Sequence, residues 1–276
     1  MIKRFSIPTL LLALLAQFGC DRNEKNISAP APSSSEAAQP TNSPTSTLIP
    51  LTNMVLIKAG TYLRIQFPVT LTHDFWIGKY EVTQGEFQRV MGKNPSHFSG
   101  ETNRPVEKVA FADAQVYCAA LTQQERAVGR LPGLWEYRLP TEGEWEYACR
   151  AGSTNLFSFG EDAALSDNYA WTMENAESVT HIVGQKQPNP WGLYDMHGNV
   201  WEWCSDWFEP YPAGHLTDPA GPGQTPQSKY KVFRGGGWNN DVNMARASNR
   251  FMMEPARGIH FVGFRVVLGQ RRGQSW

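Results

Sequence analysis

The chain has 276 residues and a formal net charge of -1, enough for one large domain with flanking segments and too balanced to supply the basic field that nucleic acid needs. Ten Trp beside 24 Gly and 19 Pro point to a loop-rich chain held by aromatic anchors. The four cysteines, Cys20, Cys118, Cys149 and Cys204, form no CxxC pair, which argues against a zinc finger or a dithiol redox site.

In chain order, residues 1–19 have the layout of an export signal: Lys3 and Arg4, an apolar run over 10–15, then Gly19-Cys20. The run is too short to span a membrane comfortably. Gly before Cys at this point resembles a bacterial lipobox, which implies cleavage before Cys20, lipid on its thiol and anchorage on the periplasmic side of the envelope. A plain secreted form is the alternative. Residues 20–51 are rich in Ser, Pro and Ala and lack aromatics, so they predict a disordered tether. The folded domain is expected over 52–270, with a short tail at 271–276.

Within it, 54–57, 69–71 and 75–77 read as strands. Thr83 and Glu86 form a capping box that opens a short helix, and Gly92 to Pro95 stop it. Residues 111–128 form the longest predicted helix, with Phe111, Ala114, Cys118 and Leu121 on one face. A second capping box, Thr141 with Glu144, opens another helix. Its Glu142, Glu144 and Glu146 read as a cap, a solvated face and ion pairs to Arg138 or Arg150, in preference to an acid–base pair. Residues 153–190 lack periodicity. Two late core strands are expected near 233–238 and 262–267.

The most concentrated chemistry lies in Gly192-Leu-Tyr-Asp-Met-His-Gly-Asn-Val-Trp-Glu-Trp-Cys-Ser-Asp-Trp207. Alternation puts Val200, Glu202 and Cys204 on one side of an extended chain and Trp201 and Trp203 on the other. An acid among indoles must be paired, hydrogen-bonded or metal-bound, so the stretch is either a structural polar knot or a hard-cation site. His197 reads as a hydrogen-bonded turn histidine rather than a base.

Taken together, Ile77-Gly-Lys-Tyr-Glu-Val-Thr83, Arg138-Leu-Pro-Thr-Glu-Gly-Glu-Trp-Glu-Tyr147, the stretch just quoted, Arg234-Gly-Gly-Gly-Trp238 and Gly263-Phe-Arg265 resemble the formylglycine-generating enzyme, or sulfatase-modifying factor, family. The resemblance implies an α+β fold related to C-type lectins, with short strands, few helices and much irregular chain. It also implies a calcium site formed by Asp195, Gly198, Val200 and Glu202, whose oxygen donors suit Ca²⁺. A second calcium site would start at Asn168 and Tyr169. Family enzymes hold copper(I) between two cysteines just after the motif matching 234–238. Here Trp238 is followed by Asn-Asn-Asp-Val-Asn-Met-Ala-Arg, without a thiol, so copper is not expected. Asn240 and a position near Met244-Ala245 stand where the cysteines would be. The family's disulfide partners of Cys118 and Cys149 are also missing, which leaves buried free thiols as the expectation. The histidines show no HxxxH or HxH, so a histidine iron site is not visible.

Two functions follow as expectations. The first is a binding or regulatory module that holds an envelope protein or peptide in a groove beside Trp238, lined by Asn239, Asn240, Asp241, Arg246, Asn249 and Arg250. The second is a divergent oxidative maturation enzyme of the same family, acting on a siderophore or a protein. A formylglycine-generating oxidase without the cysteine pair is the least favoured.

Overall fold

The computed structural model describes residues 48–221, 223–225 and 227–271, all within the chain's compact unit Pro44–Trp276. The export signal, Cys20 and most of the tether lie outside the described residues. The end of the predicted tether does not: Leu48 and Leu51 pack on the core, and the Ile49 amide donates to the Arg130 carbonyl at 3.0 Å. The apolar contacts of the fold thus begin four residues before the expected boundary.

Strands β1 (Met54–Ile57), β2 (Gly60–Arg64), β3 (Phe67–Leu71) and β4 (Phe75–Gly78) open the domain. Helix α1 (Gln84–Met91) follows, and its Thr83–Glu86 capping box is formed in full. Gly92 ends it in the left-handed conformation at φ 72°, which a glycine adopts without steric cost. Helix α2 (Phe111–Ala127) buries Phe111, Ala114, Cys118 and Leu121 along the expected face. Next come β5 (Trp135–Arg138) and α3 (Glu142–Arg150), the latter with its Thr141–Glu144 capping box in place. The remaining strands are β6 (Trp201–Trp207), β7 (Leu216–Thr217), β8 (Lys231–Arg234), β9 (Arg250–Met253), β10 (Val262–Gly263) and β11 (Val267–Gln270). Short 3-10 turns occupy Ala163–Asn168 and Val242–Ala245.

The strands form three small sheets among the described residues, in the orders β1-β4-β11-β5, β10-β6-β8-β9 and β2-β3-β7. Helix α3 packs against β6 and β8, so the two sequence motifs richest in Glu and Trp face each other in the interior. One apolar cluster gathers Phe87, Tyr117, Trp203, Phe233 and Phe264; a second surrounds Trp145, Met196 and Val232.

One expectation about α3 is corrected. The expected ion pairs form, Arg138 with Glu144 and Arg150 with Glu146, but there is no solvated face: Glu142 and Glu146 are both buried. Glu146 accepts from Arg64 at 3.0 Å and from Arg150 at 2.8 Å, and also pairs with Arg234 at 2.5 Å. Burial alone would raise the Glu146 carboxyl, but the three guanidiniums outweigh it and hold the group below its ordinary value. Arg64 and Arg234 lie 82 and 88 residues away in sequence, so no local pattern on the helix announces them.

Candidate functional site

The loop before β6 is shaped by backbone that runs through positive φ at Gly192 (81°), Asp195 (57°), Gly198 (138°) and Asn199 (61°). Glycine is required at 198, because a Cβ there would sit 2.3 Å from the Trp171 carbonyl oxygen. That carbonyl accepts the Asn199 amide at 2.8 Å, locking the turn. Glu202 then meets Arg265 of the Gly-Phe-Arg motif. The Nε and one terminal nitrogen of Arg265 donate to the two carboxylate oxygens at 2.6 Å each, and Trp145 Nε1 donates at 2.7 Å. The other donors of Arg265 reach the carbonyls of Gly78 and Tyr194, both at 3.0 Å. Four of the motifs quoted from the sequence thus converge on one buried pair.

Two further acids stand beside it. Glu81 accepts from the Val200 amide at 3.0 Å and from Asn199 Nδ2 at 2.7 Å. Asp195 accepts from the Gly184 amide at 2.7 Å through one oxygen, while its other oxygen, Oδ1, is buried with no hydrogen-bond partner among the described residues. Burial, with Asp195 and Glu202 nearby, pushes the Glu81 carboxyl well up; burial pushes Asp195 up to about 6. Three acids thus stand around one buried guanidinium, and their crowding favours a proton on Glu81.

The residues resembling calcium ligands fit a hard cation in kind. Asp195 Oδ1 is an open acceptor, the Gly198 and Val200 carbonyls belong to the same turn, and Oε1 of Glu202 accepts one hydrogen bond and so retains a lone pair. No group of three His, Cys, Asp or Glu side chains suited to a metal occurs among the described residues, so carbonyl oxygens are needed to complete such a site. At the second expected site, the Asn168 carbonyl already accepts the Gln187 amide at 2.8 Å, and the Tyr169 ring stacks on Phe159.

The seven residues expected to line one groove fall in three places. Trp238 packs edge-on to Phe98 and donates through Nε1 to the His260 carbonyl at 3.2 Å; its amide is tied to the Asn199 carbonyl at 2.8 Å. Asn239 is half-buried beside it. Asn240 accepts from Trp201 Nε1 at 2.6 Å, Asp241 caps the 3-10 turn through the Asn243 amide at 2.7 Å, and Arg246 and Asn249 both close on Asn243. Arg250 departs from the grouping. Its guanidinium donates to both oxygens of Glu142 at 2.7 and 2.8 Å and lies over the Phe208 and Tyr211 rings, on the side of the α3 ionic network.

What the sequence did not announce is a cleft of about 300 Å³ beside Asn240, floored by Trp201 and Phe233 and walled by Met244, Phe251, Met252, Met253, Ile259 and Phe261, with Arg257 at the rim. Its signal was the apolar run Phe251-Met252-Met253, in which two residues are exposed on β9, Phe251 at 49% and Met252 at 41%. The cleft is lined by Asn240, which stands where one of the family's thiols would be, and by Met244, while Ala245 is buried outside it. A larger hollow, about 720 Å³, lies between Phe75, Trp135, Arg138 and Arg271. Three of its charged groups, Arg138, Asp74 and Arg271, are engaged with Glu144, Lys58 and Glu136.

Cys118, Cys149 and Cys204 are all free and buried. Burial pushes Cys118 and Cys149 up to about 12 and Cys204 well above its ordinary value, so none is a thiolate at neutral pH. His197 is buried as well. It accepts the Ser158 amide at Nε2 (3.1 Å), leaving Nδ1–H to donate to the Ala245 carbonyl at 2.8 Å, and burial lowers it to about 4. This histidine fixes a turn and remains neutral.

The fold and the motif cluster define a protein of the sulfatase-modifying-factor type, and the comparison with known families agrees: residues 38–270 match the sulfatase-modifying factor enzyme 1-like domain, and the chain belongs to that family. The chaperone protein LppX of Paenibacillus barcinonensis is 34% identical over 243 residues, covering 71% of this chain and 82% of LppX. The formylglycine-generating enzyme of Streptomyces coelicolor is 33% identical over 189 residues, 62% of this chain and only 55% of the enzyme's length. Among solved structures, Treponema denticola variable protein 1 superposes with a TM-score of 0.71 at 30% identity, covering 79% of this chain and 95% of that one. The expected α+β fold is thereby established.

Proposed function

We propose that this chain is an exported, lipid-anchored protein of the cell envelope, held by Cys20, whose family domain binds a client protein or peptide and does not oxidise a cysteine. The observation that carries this reading is the cleft itself. Beside Asn240, which stands where one of the family's thiols would be, it offers Met244 and a wall of aromatic and methionine side chains, while all three thiols of the described domain are buried and protonated. Methionine adapts its unbranched, polarizable side chain to irregular apolar partners, which suits a site that must hold varied segments. The similarity to a relative called a chaperone protein supports the same reading. Incubation with a cysteine-containing sulfatase peptide and copper(I) should yield no aldehyde by mass spectrometry, and an aldehyde would overturn the proposal. Cys20→Ala should release the protein from membranes into the soluble fraction; retention would reject the lipid anchor.

Calcium belongs to this proposal as a structural ion. Asp195 Oδ1, the Gly198 and Val200 carbonyls and Glu202 would hold it, and its charge would favour the ionised forms of the acids around Arg265. A chelator should then lower the melting temperature, since an ion present at 100 times its Kd stabilises by about 2.7 kcal/mol. An unchanged melt together with no calcium by elemental analysis would remove the ion from the reading.

A further inference from the structure

Strand β9 is the outer strand of its sheet. It pairs with β8 through four consecutive residue pairs, Lys231 with Met253 to Arg234 with Arg250, without a bulge. On its other side no backbone partner is present among the described residues. Soluble proteins usually guard such an edge with a lysine, a proline, an inward charge or a bulge. Residues 250–253 carry only one of these, the inward charge of Arg250 on Glu142, at one end of the strand; no lysine, proline or bulge follows it, and the other three residues are Phe251, Met252 and Met253. The open edge forms one wall of the cleft, so a row of free amide and carbonyl groups stands beside an apolar hollow. At the rim, Arg257 is exposed and makes no ion pair among the described residues.

We infer that the cleft receives an extended segment of a client protein by strand addition to β9, with apolar side chains entering between Phe251 and Met244 and a carboxylate of the segment meeting Arg257. Three features select this occupant. A free strand edge supplies main-chain hydrogen bonds to any extended chain and none to a helix that has already satisfied its own backbone. The hollow accepts side chains from one face of the segment, those at alternate positions. The unpaired guanidinium complements an acidic residue and disfavours a basic one. This inference rests on the proposed client-binding role and specifies how the client is held.

The test uses the full chain and a fluorescein-labelled ten-residue peptide with leucine at every second position, threonine between and one central aspartate. Three altered peptides accompany it: one N-methylated at the threonines, one N-methylated at the leucines, and one with asparagine for aspartate. Fluorescence anisotropy should show at least a tenfold loss of affinity for one of the two methylated peptides, because methylation of the paired edge removes its donors. Arg257→Glu should weaken the aspartate peptide severalfold while leaving the asparagine peptide unchanged. Met252→Asp should abolish binding without altering the melting temperature, and the peptide variants leave the protein's own folding untouched. Equal affinity for all the methylated peptides would overturn strand addition while leaving client binding intact. Failure of every peptide to bind, at saturating protein, would reject client binding itself and strand addition with it. Concentration-dependent dimers by light scattering that Met252→Asp dissolves would show that a second copy of the chain occupies the edge, and would overturn the proposal.

Discussion

The ionic interior and the β9 cleft obey opposite rules. Around Glu202 and Arg265, and around Glu142 and Glu146, charge is buried and its partners are drawn from distant parts of the chain. A buried ion pair adds little net stability, because desolvation offsets its attraction, yet breaking one by removing a single partner is severe. At the rim of the cleft the reverse holds: the apolar side chains of Phe251 and Met252 and an unpaired strand edge are left open, and their exposed parts contribute nothing to folding. The first region specifies which segments meet. The second has a floor that belongs to the core and a rim, Met252 above all, that gives little to folding, which is why it is the better candidate for recognition.

The largest effect should come from splitting the central pair. Glu202→Gln takes from buried Arg265 the one carboxylate to which it is hydrogen-bonded, leaving only Glu81 and Asp195 nearby, and should cost about 3–5 kcal/mol, read as a large drop in melting temperature. The double variant Glu202→Gln with Arg265→Met removes both charges and should recover part of that loss. If the single variant melted like the native chain, the contrast between the two regions would collapse.

A smaller effect should appear with pH at Glu107. Its carboxylate accepts the Phe98 amide at 2.8 Å through one oxygen, while the other is buried and unpartnered among the described residues; burial raises the group to about 7. Because the folded value lies above the unfolded one, the folded state binds the proton more tightly. The favourable contribution is therefore complete below about pH 4.5 and is lost as pH rises through about 7. At 1.36 kcal/mol per unit this amounts to at most about 3 kcal/mol. Denaturant titrations at pH 5 and pH 8 should show the loss, and Glu107→Gln, which is neutral at both, should make it smaller, with Asp195 and Asp206, both raised to about 6, supplying the remainder. An identical pH slope in the variant would assign the dependence to other groups.

Much of the fold was legible because it is written in local signals. The capping boxes at Thr83 and Thr141, the stop at Gly92 and the buried face of α2 depend on residues within a turn or two of each other, and all are present as read. The burial of Glu142 and Glu146 was not legible, since it is decided by Arg64, Arg234 and Arg250, whose proximity only the tertiary fold creates. The groove was legible in part. Trp238 and Asn240 stay close to their motif, but Arg250, grouped with them in the sequence, is sent by the strand geometry to Glu142 instead. The cleft escaped notice for a related reason. A short run of Phe and Met reads equally as core or surface until it is known that β9 has a neighbour on one side only.

The smallest stability effect is expected at that edge. Met252 already contacts water, so Met252→Gln removes little buried area and should stay within about 0.5 kcal/mol of the native chain in a denaturant titration. Phe251 differs. Its ring also packs 5.8 Å from both Trp201 and Phe233, so Phe251→Ala should cost more than the Met252 change while remaining well below the Glu202 variant. The order Glu202, then Phe251, then Met252 is a direct reading of how much each side chain gives to folding. Should Met252→Gln destabilise the domain as much as Phe251→Ala, the edge of β9 would be a structural element in its own right, and its open backbone would need another explanation than a partner.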